Sequence, residues 1–169
     1  TPEPGILEVI ADAVRDLAST GAGFDARIVR SDHAIDVAPF HDPRRNQHSS
    51  RAILSELLQR VPEPDHVLGV TEVDLFQPIL TFVFGEAQLG GRAAVISTAR
   101  LSQRWYGLPE SVPLLYERAV KEALHELGHT WGLIHCPDYR CVMTASRVVE
   151  EIDTKEAAFC ESCRARVDA

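Results

Sequence analysis

The sequence predicts a single α/β (α+β) domain, a mixed sheet covered by helices. Apolar residues recur at helical spacing in three stretches, and short β-branched or alternating runs lie between them. The length of 169 residues suits one hydrophobic core, and no internal repeat, low-complexity tract or linker divides it.

Residues 4–17 place Ile6, Leu7, Ile10, Val14 and Leu17 on one face behind an early proline, which predicts a helix broken at Gly21, Ala22 and Gly23. Residues 24–29 and 34–37 read as short extended stretches around Ser31 and Asp32, and residues 41–50 as a polar loop. Ser49 or Ser50 caps a second helix carrying Ile53, Leu54, Leu57, Leu58 and Val61 up to Pro62. Strands are expected over residues 66–71, over 79–84 with a stop at Gly85, and over 93–97 after a turn at Gly90 and Gly91. Ser111 and Pro113 open the longest helix, with Leu114, Leu115, Ala119, Ala123 and Leu127 on its apolar face and an end near Gly132. The segment after His135 is irregular, with a short helix at the end and too few apolar side chains for its own core, so a metal staple would make physical sense there. The domain therefore divides into a sheet-and-helix part, residues 1–132, and a stapled segment, residues 133–169.

Composition narrows the function classes. With 45% hydrophobic and 25% charged residues the chain is globular, and a net charge of −8 without a basic stripe argues against nucleic acid. No apolar run approaches the length of a membrane span, and the N-terminus shows no signal peptide, although a chain starting with Thr1 can have lost a leader. Of 17 basic residues only Lys121 and Lys155 are lysine, which reads as compositional bias. The acidic surface is compatible with a monomer.

The chemistry is concentrated between His125 and His135, whose spacing is H-E-x-x-H-x-x-G-x-x-H. On a helix, His125 and His129 lie about 40° apart around the axis and can share one metal ion. Gly132 tolerates positive φ, so the helix can end there and the chain can return with His135 as third ligand. Three neutral imidazoles suit a zinc with one open position, and Glu126, on the flank of that face, reaches the activated water as general base and then acid. Peptide hydrolysis is the reaction that most naturally needs these parts together. Met143, the sole methionine, lies eight residues beyond His135, where a methionine turn would floor such a site.

All four cysteines, Cys136, Cys141, Cys160 and Cys163, frame that methionine. Their C-x4-C and C-x-x-C grouping favours a closed, structural four-thiolate zinc in a reducing, cytoplasmic compartment. A redox-active Cys160–Cys163 pair and two disulfides are the alternatives.

With these residues in view, the chain resembles the archaemetzincins of the metzincin clan. The resemblance rests on His125, Glu126, His129, Gly132, His135, Cys136, Cys141, Met143, Cys160 and Cys163. It extends to Val73, Asp74 and Leu75, to the run from Phe82 to Ala87, to Ser97, Arg100 and Leu101, and to Pro43, Arg45 and Gln47. Sixteen residues separate Met143 from Cys160, one fewer than in the family pattern, and the difference falls in the intervening loop. The resemblance implies a compact metzincin-like fold with a twisted mixed sheet and an active-site helix. It also implies two zinc ions, one catalytic and one structural, and a metallopeptidase acting on peptide or protein substrates.

By analogy with that clan, substrate adds as a strand along Thr81, Phe82, Val83, Phe84 and Gly85, extending towards Ala87. Trp131 reads as core packing and not as a substrate contact, His33, His41, His48 and His66 are assigned no ligand role, and Asp74 and Glu86 read as surface or turn residues. Two other accounts compete: a catalytically silent zinc protein that binds peptides without turnover, and a hydrolase for a non-peptide amide.

Overall fold

Ile6, Ile10 and Leu17, at the predicted spacing, are the buried positions of the first helix, α1 (Ile6–Ser19). The computed structural model describes residues 3–19, 27–29, 34–62 and 65–167. The expected break at residues 21–23, residues 24–26 of the first extended stretch, Ser31, Asp32 and His33 lie outside them. Residues 27–29 and 34–37 form no strand.

The stretch expected as a polar loop is a small hairpin instead. β1 (His41–Asp42) pairs antiparallel with β2 (Gln47–Ser49), and Asn46 takes the left-handed position of the turn at φ 53°. Asp42 Oδ1 accepts the Arg44 N–H, so this polar sequence satisfies its own turn. Ser49 then caps α2 (Ser50–Arg60), its Oγ accepting the Ala52 N–H at 3.3 Å.

β2 continues into a three-stranded sheet, ordered β1-β2-β4, by parallel pairing with β4 (Leu75–Phe76). A second sheet, ordered β3-β6-β5, pairs β3 (Val67–Thr71) parallel to β6 (Ala93–Ser97) and sets β5 (Gly85–Ala87) antiparallel on its edge. β6 is buried along its whole length because both faces are covered. Ala93 and Val95 meet Ile53, Leu54 and Leu57 of α2, while Ile96 meets α1 and the long helix α3 (Val112–Thr130) through Ile6, Ile10, Leu115 and Ala119. A mixed sheet between helical layers matches the predicted class. Beyond α3 lie α4 (Val149–Thr154), which sequence periodicity did not predict, and the expected short terminal helix, α5 (Glu161–Val167). No helix among the described residues is long and apolar enough to cross a membrane.

The strand expected over residues 79–84 starts later, at Gly85. Ile79 and Leu80 stand exposed at a loop tip, and of this stretch Val83 reaches a bridge with Leu75. Side chains occupy the carbonyls a neighbouring strand would use: Arg45 Nη2 donates to Leu80 O at 2.6 Å and Thr81 O at 3.1 Å, and Gln47 Nε2 to Thr81 O at 3.0 Å. Asp74 is not a surface residue. Its side chain is 9% exposed and accepts two hydrogen bonds from Arg100, at 2.6 and 2.8 Å. The Arg100 guanidinium lies 4.0 Å from the Phe82 ring centroid and 4.6 Å from that of Trp105. Removing one partner strands a buried charge, so Asp74→Ala should cost about 3 kcal/mol in urea unfolding. A loss below about 1 kcal/mol would show the pair to be dispensable.

Candidate active site

α3 ends as the spacing requires. Gly132 has φ 85°, the Gly132 N–H bonds His129 O at 3.0 Å, and the Leu133 N–H reaches back to Gly128 O at 3.0 Å. This paired closure turns the chain sharply. His135 thereby comes to lie with its ring 5.3 Å from that of His125 and 5.0 Å from that of His129. One nitrogen from each of the three rings falls within 4.8 Å of the others.

Backbone carbonyls set the tautomers of the first two rings. Nδ1 of His125 lies 2.8 Å from Val142 O, and Nδ1 of His129 lies 2.7 Å from Leu133 O. A carbonyl only accepts, so both Nδ1 atoms carry the proton and both Nε2 atoms present lone pairs. Those lone pairs face each other at 3.1 Å. Two facing lone pairs repel unless a cation lies between them, and nitrogens around a tetrahedral zinc would stand about 3.3 Å apart. Burial first, and then the positive charge of Lys155, lower the pKa of His125 well below the ordinary imidazole value. Burial likewise lowers His129 and His135, so all three stay neutral and able to ligate.

Glu126 is buried on the same helix, pressed against the edge strand. A Cβ on Gly85 would lie 2.7 Å from both Cγ and Oε1 of Glu126, and 2.8 Å from Val95 O. Only glycine leaves room there for the carboxylate to reach past the strand. Burial raises the Glu126 pKa well above the ordinary carboxylate value, and the neighbouring carboxylate Glu122 adds to the rise. Glu122, one turn back, is also raised by burial, against the opposing charge of Lys155. Glu86 is not the surface residue expected; it lies half-buried in β5, hydrogen-bonded to Ser50 Oγ.

Met143 packs against the same helix, α3. It is 0% exposed, and a side chain on Gly128 would overlap its Sδ. The turn is held by Cys136 N–H to Met143 O at 3.0 Å and by Val142 N–H to Ala158 O at 2.9 Å. Beneath it the four cysteine sulfurs gather, with no two of them bonded as a disulfide, all within 4.8 Å of one another. Sγ of Cys136 and Cys160 are 3.8 Å apart, the separation of about 3.8 Å that Zn–S bonds of 2.3 Å impose on a tetrahedron. Burial raises the pKa of Cys141 and Cys163, while backbone N–H donation from Cys163 lowers that of Cys160. Clustered thiolates of this kind ionise together only around a cation.

Residues 81–84 are tied to other parts of the chain. Thr81 offers its carbonyl to Gln47, Phe82 packs under Arg100, Val83 donates its N–H to Leu75 O, and Phe84 is in the core. Of the expected substrate edge, Gly85 sits in the strand beside Glu126, followed by Glu86 and Ala87. Beyond Ala87, a cavity of about 290 Å³ is lined by Ala87, Leu89, His129, Ile134 and His135. Sequence reasoning overlooks Glu122 and Lys155. Both are buried, and the signal available was a carboxylate one helical turn before Glu126 and a lysine in an arginine-rich chain.

Known proteins share both the sequence and the fold. The sequence profile of peptidase family M54 matches residues 29–169. The archaemetzincin of Methanocaldococcus jannaschii is 49% identical over 119 residues, covering 70% of this chain and 65% of that relative, slightly less than two thirds of its length. The crystal structure of the Methanopyrus kandleri archaemetzincin superposes with a TM-score of 0.85 at 36% identity, covering 99% of this chain and 88% of that one. A zinc-dependent peptidase from Methanocorpusculum labreanum superposes with a TM-score of 0.84 at 28% identity, covering 96% and 93%. With this match in sequence and in fold, the chain belongs to peptidase family M54, the family of the archaemetzincins.

Proposed function

We propose that the protein is a zinc-dependent peptidase with one catalytic and one structural zinc. One observation carries the reading: three imidazole nitrogens converge within 4.8 Å, two of them as facing lone pairs, beside a buried carboxylate on the same helix. His125, His129 and His135 would hold the catalytic ion. Cys136, Cys141, Cys160 and Cys163 would hold the other and tie the C-terminal segment beneath it. When bound at the histidines, zinc supplies Lewis acidity, acidifying a water and polarising a carbonyl.

The chain's own residues do the rest. Val142 O and Leu133 O fix the ligand tautomers. Met143 makes an apolar floor, the role of a metzincin methionine turn. Glu126 takes the proton of the attacking water and passes it to the leaving amine. Its buried setting gives the carboxylate the proton affinity this needs. An extended peptide adds beside β5 along Gly85, Glu86 and Ala87, the C-terminal part of the edge expected along residues 81–87. The exposed side chains of Leu89 and Ile134 flank the histidines, so the adjoining cavity suits an apolar side chain next to the cleaved bond. Four free thiols in zinc geometry suit a reducing, cytoplasmic setting.

Incubation with an unbiased peptide library, read by mass spectrometry, tests the reading. Glu126→Ala should lower turnover by about 10²-fold or more while keeping two zincs. Zinc-loaded wild-type protein that releases no products would instead favour a silent peptide binder. Gly85→Ala should cost roughly 10-fold or more in kcat, because the new methyl displaces Glu126 from its attacking position. Full activity in that variant would dismiss the packing argument. Cys160→Ser should lose one zinc by elemental analysis and lower Tm by about 10 °C. Unchanged metal content and Tm would end the structural-site claim.

A further inference from the structure

The hydrogen bonds around β5 decide how much of its edge a bound strand can use. Ser97 N–H donates to Phe84 O at 2.7 Å and Gln88 N–H to Ala93 O at 3.0 Å. With Glu86 opposite Val95 between them, Phe84, Glu86 and Gln88 turn their main-chain groups towards β6. By the same alternation Val83, Gly85 and Ala87 turn theirs to the outer edge. Val83 is already taken: its N–H donates to Leu75 O at 3.0 Å, and the two residues form an antiparallel bridge. Gly85 and Ala87 make no outward main-chain hydrogen bond among the described residues.

A peptide paired with Gly85 and Ala87 would lie in line with β4, because Leu75 fills the next pairing position on that edge. β4 is fixed from its other side. It pairs there with β2, where His48 N–H donates to Asp74 O at 2.8 Å, and Leu75 is wholly buried. Gln47 Nε2 and Arg100 hold the Asp74 side chain, at 2.9 and 2.6 Å. The opposite end of β5 leads into a different setting. Gly90 N–H donates to His129 O at 2.9 Å, and exposed Leu89 and Ile134 stand with His129 and His135 around the cavity. Glu126 lies beside Gly85, so a bond cleaved there has Ala87 and the cavity on one side and β4 on the other.

We propose that β4 is an end-stop on the substrate edge, so that the protein recognises a peptide from one side of the cleaved bond only, through the main-chain groups of Ala87 and the cavity at Leu89 and Ile134. The proposal rests on the peptidase reading and adds a substrate requirement to it. Residues on the recognised side must be extended, because they pair with the edge strand. The chain on the other side leaves the sheet where β4 begins, and there it needs neither an extended conformation nor a particular side chain. The competing arrangement, an edge open at both ends, reads residues on both sides of the bond.

The test uses the best-cleaved peptide from the unbiased library, remade with one backbone N-methyl group at each position near, but not at, the cleaved bond. Each methyl group removes a single N–H donor. Turnover by zinc-loaded wild-type protein, lost in Glu126→Ala, is established first; its absence would overturn both the peptidase reading and this one. On one side of the bond, a methyl group within about three residues should raise KM about 10-fold or more, the loss of one hydrogen bond or two. On the other side every methylated peptide should keep kcat/KM within about threefold. Side-chain preference in the library should fall on the sensitive side. Ala87→Pro removes the outward N–H and leaves the β5–β6 ladder whole. It should keep both zincs and a Tm near wild type, and raise KM about 10-fold or more. Methyl sensitivity on both sides or on neither would overturn the end-stop and leave the peptidase reading standing. So would a side-chain preference on the insensitive side, or a KM for folded Ala87→Pro within about threefold of wild type. If Ala87→Pro does not fold, the methyl scan on wild-type protein decides alone.

Discussion

A helix that runs through a protein interior can carry charged and imidazole side chains only if each meets a partner there. α3 carries Arg118, Lys121, Glu122, His125 and Glu126, all buried. Most of their partners come from the segment after the helix. Asp153 takes Arg118 at 2.7 and 2.8 Å, Asp153 O takes Lys121, and Val142 O takes His125. The polar stripe of α3 is therefore the template on which the C-terminal segment folds. This explains how a stretch with little apolar content of its own holds a defined path.

The other side of the stripe meets the sheet edge. α3 packs on β5 and β6, and the closest approach is where Gly85 has no side chain. Towards the C-terminal segment Gly128 plays the same part for Met143. Glu126 and the methionine are thus held at backbone distance from the two layers between which a peptide and a metal ion would meet. Side-chain volume at either glycine would separate the layers.

The convergence of the candidate ligands was legible in sequence because they are local. His125, His129, Gly132 and His135 act through helical period and one glycine-ended turn, and the cysteines through their pairing in short motifs. The helices were legible for the same reason, since burial follows spacing in α1 and α2, whereas α3 is buried on all sides from Lys121 to Gly128. The features that escaped depend on distant partners. The alternating residues 81–84 looked like a strand, yet Arg45, Gln47 and Arg100 hold their carbonyls and rings in place from other parts of the chain. The hairpin of β1 and β2 was hidden because its hydrogen bonds lie among polar residues that also make turns. The burial of Asp74 escaped as well, because its counter-charge, Arg100, lies far along the chain.

His135 and Cys136 are consecutive, so a single peptide bond joins the two candidate metal clusters. Closing the cysteine cluster fixes that bond in space and removes most of the search His135 would otherwise make for the other two rings. The gain is one of effective concentration, with the loop entropy already spent when the second cluster forms. Linkage makes the relation mutual: whatever loosens the sulfur cluster weakens binding at the histidines, without touching a histidine. A cluster of four sulfurs would thereby set how tightly three imidazoles keep an ion.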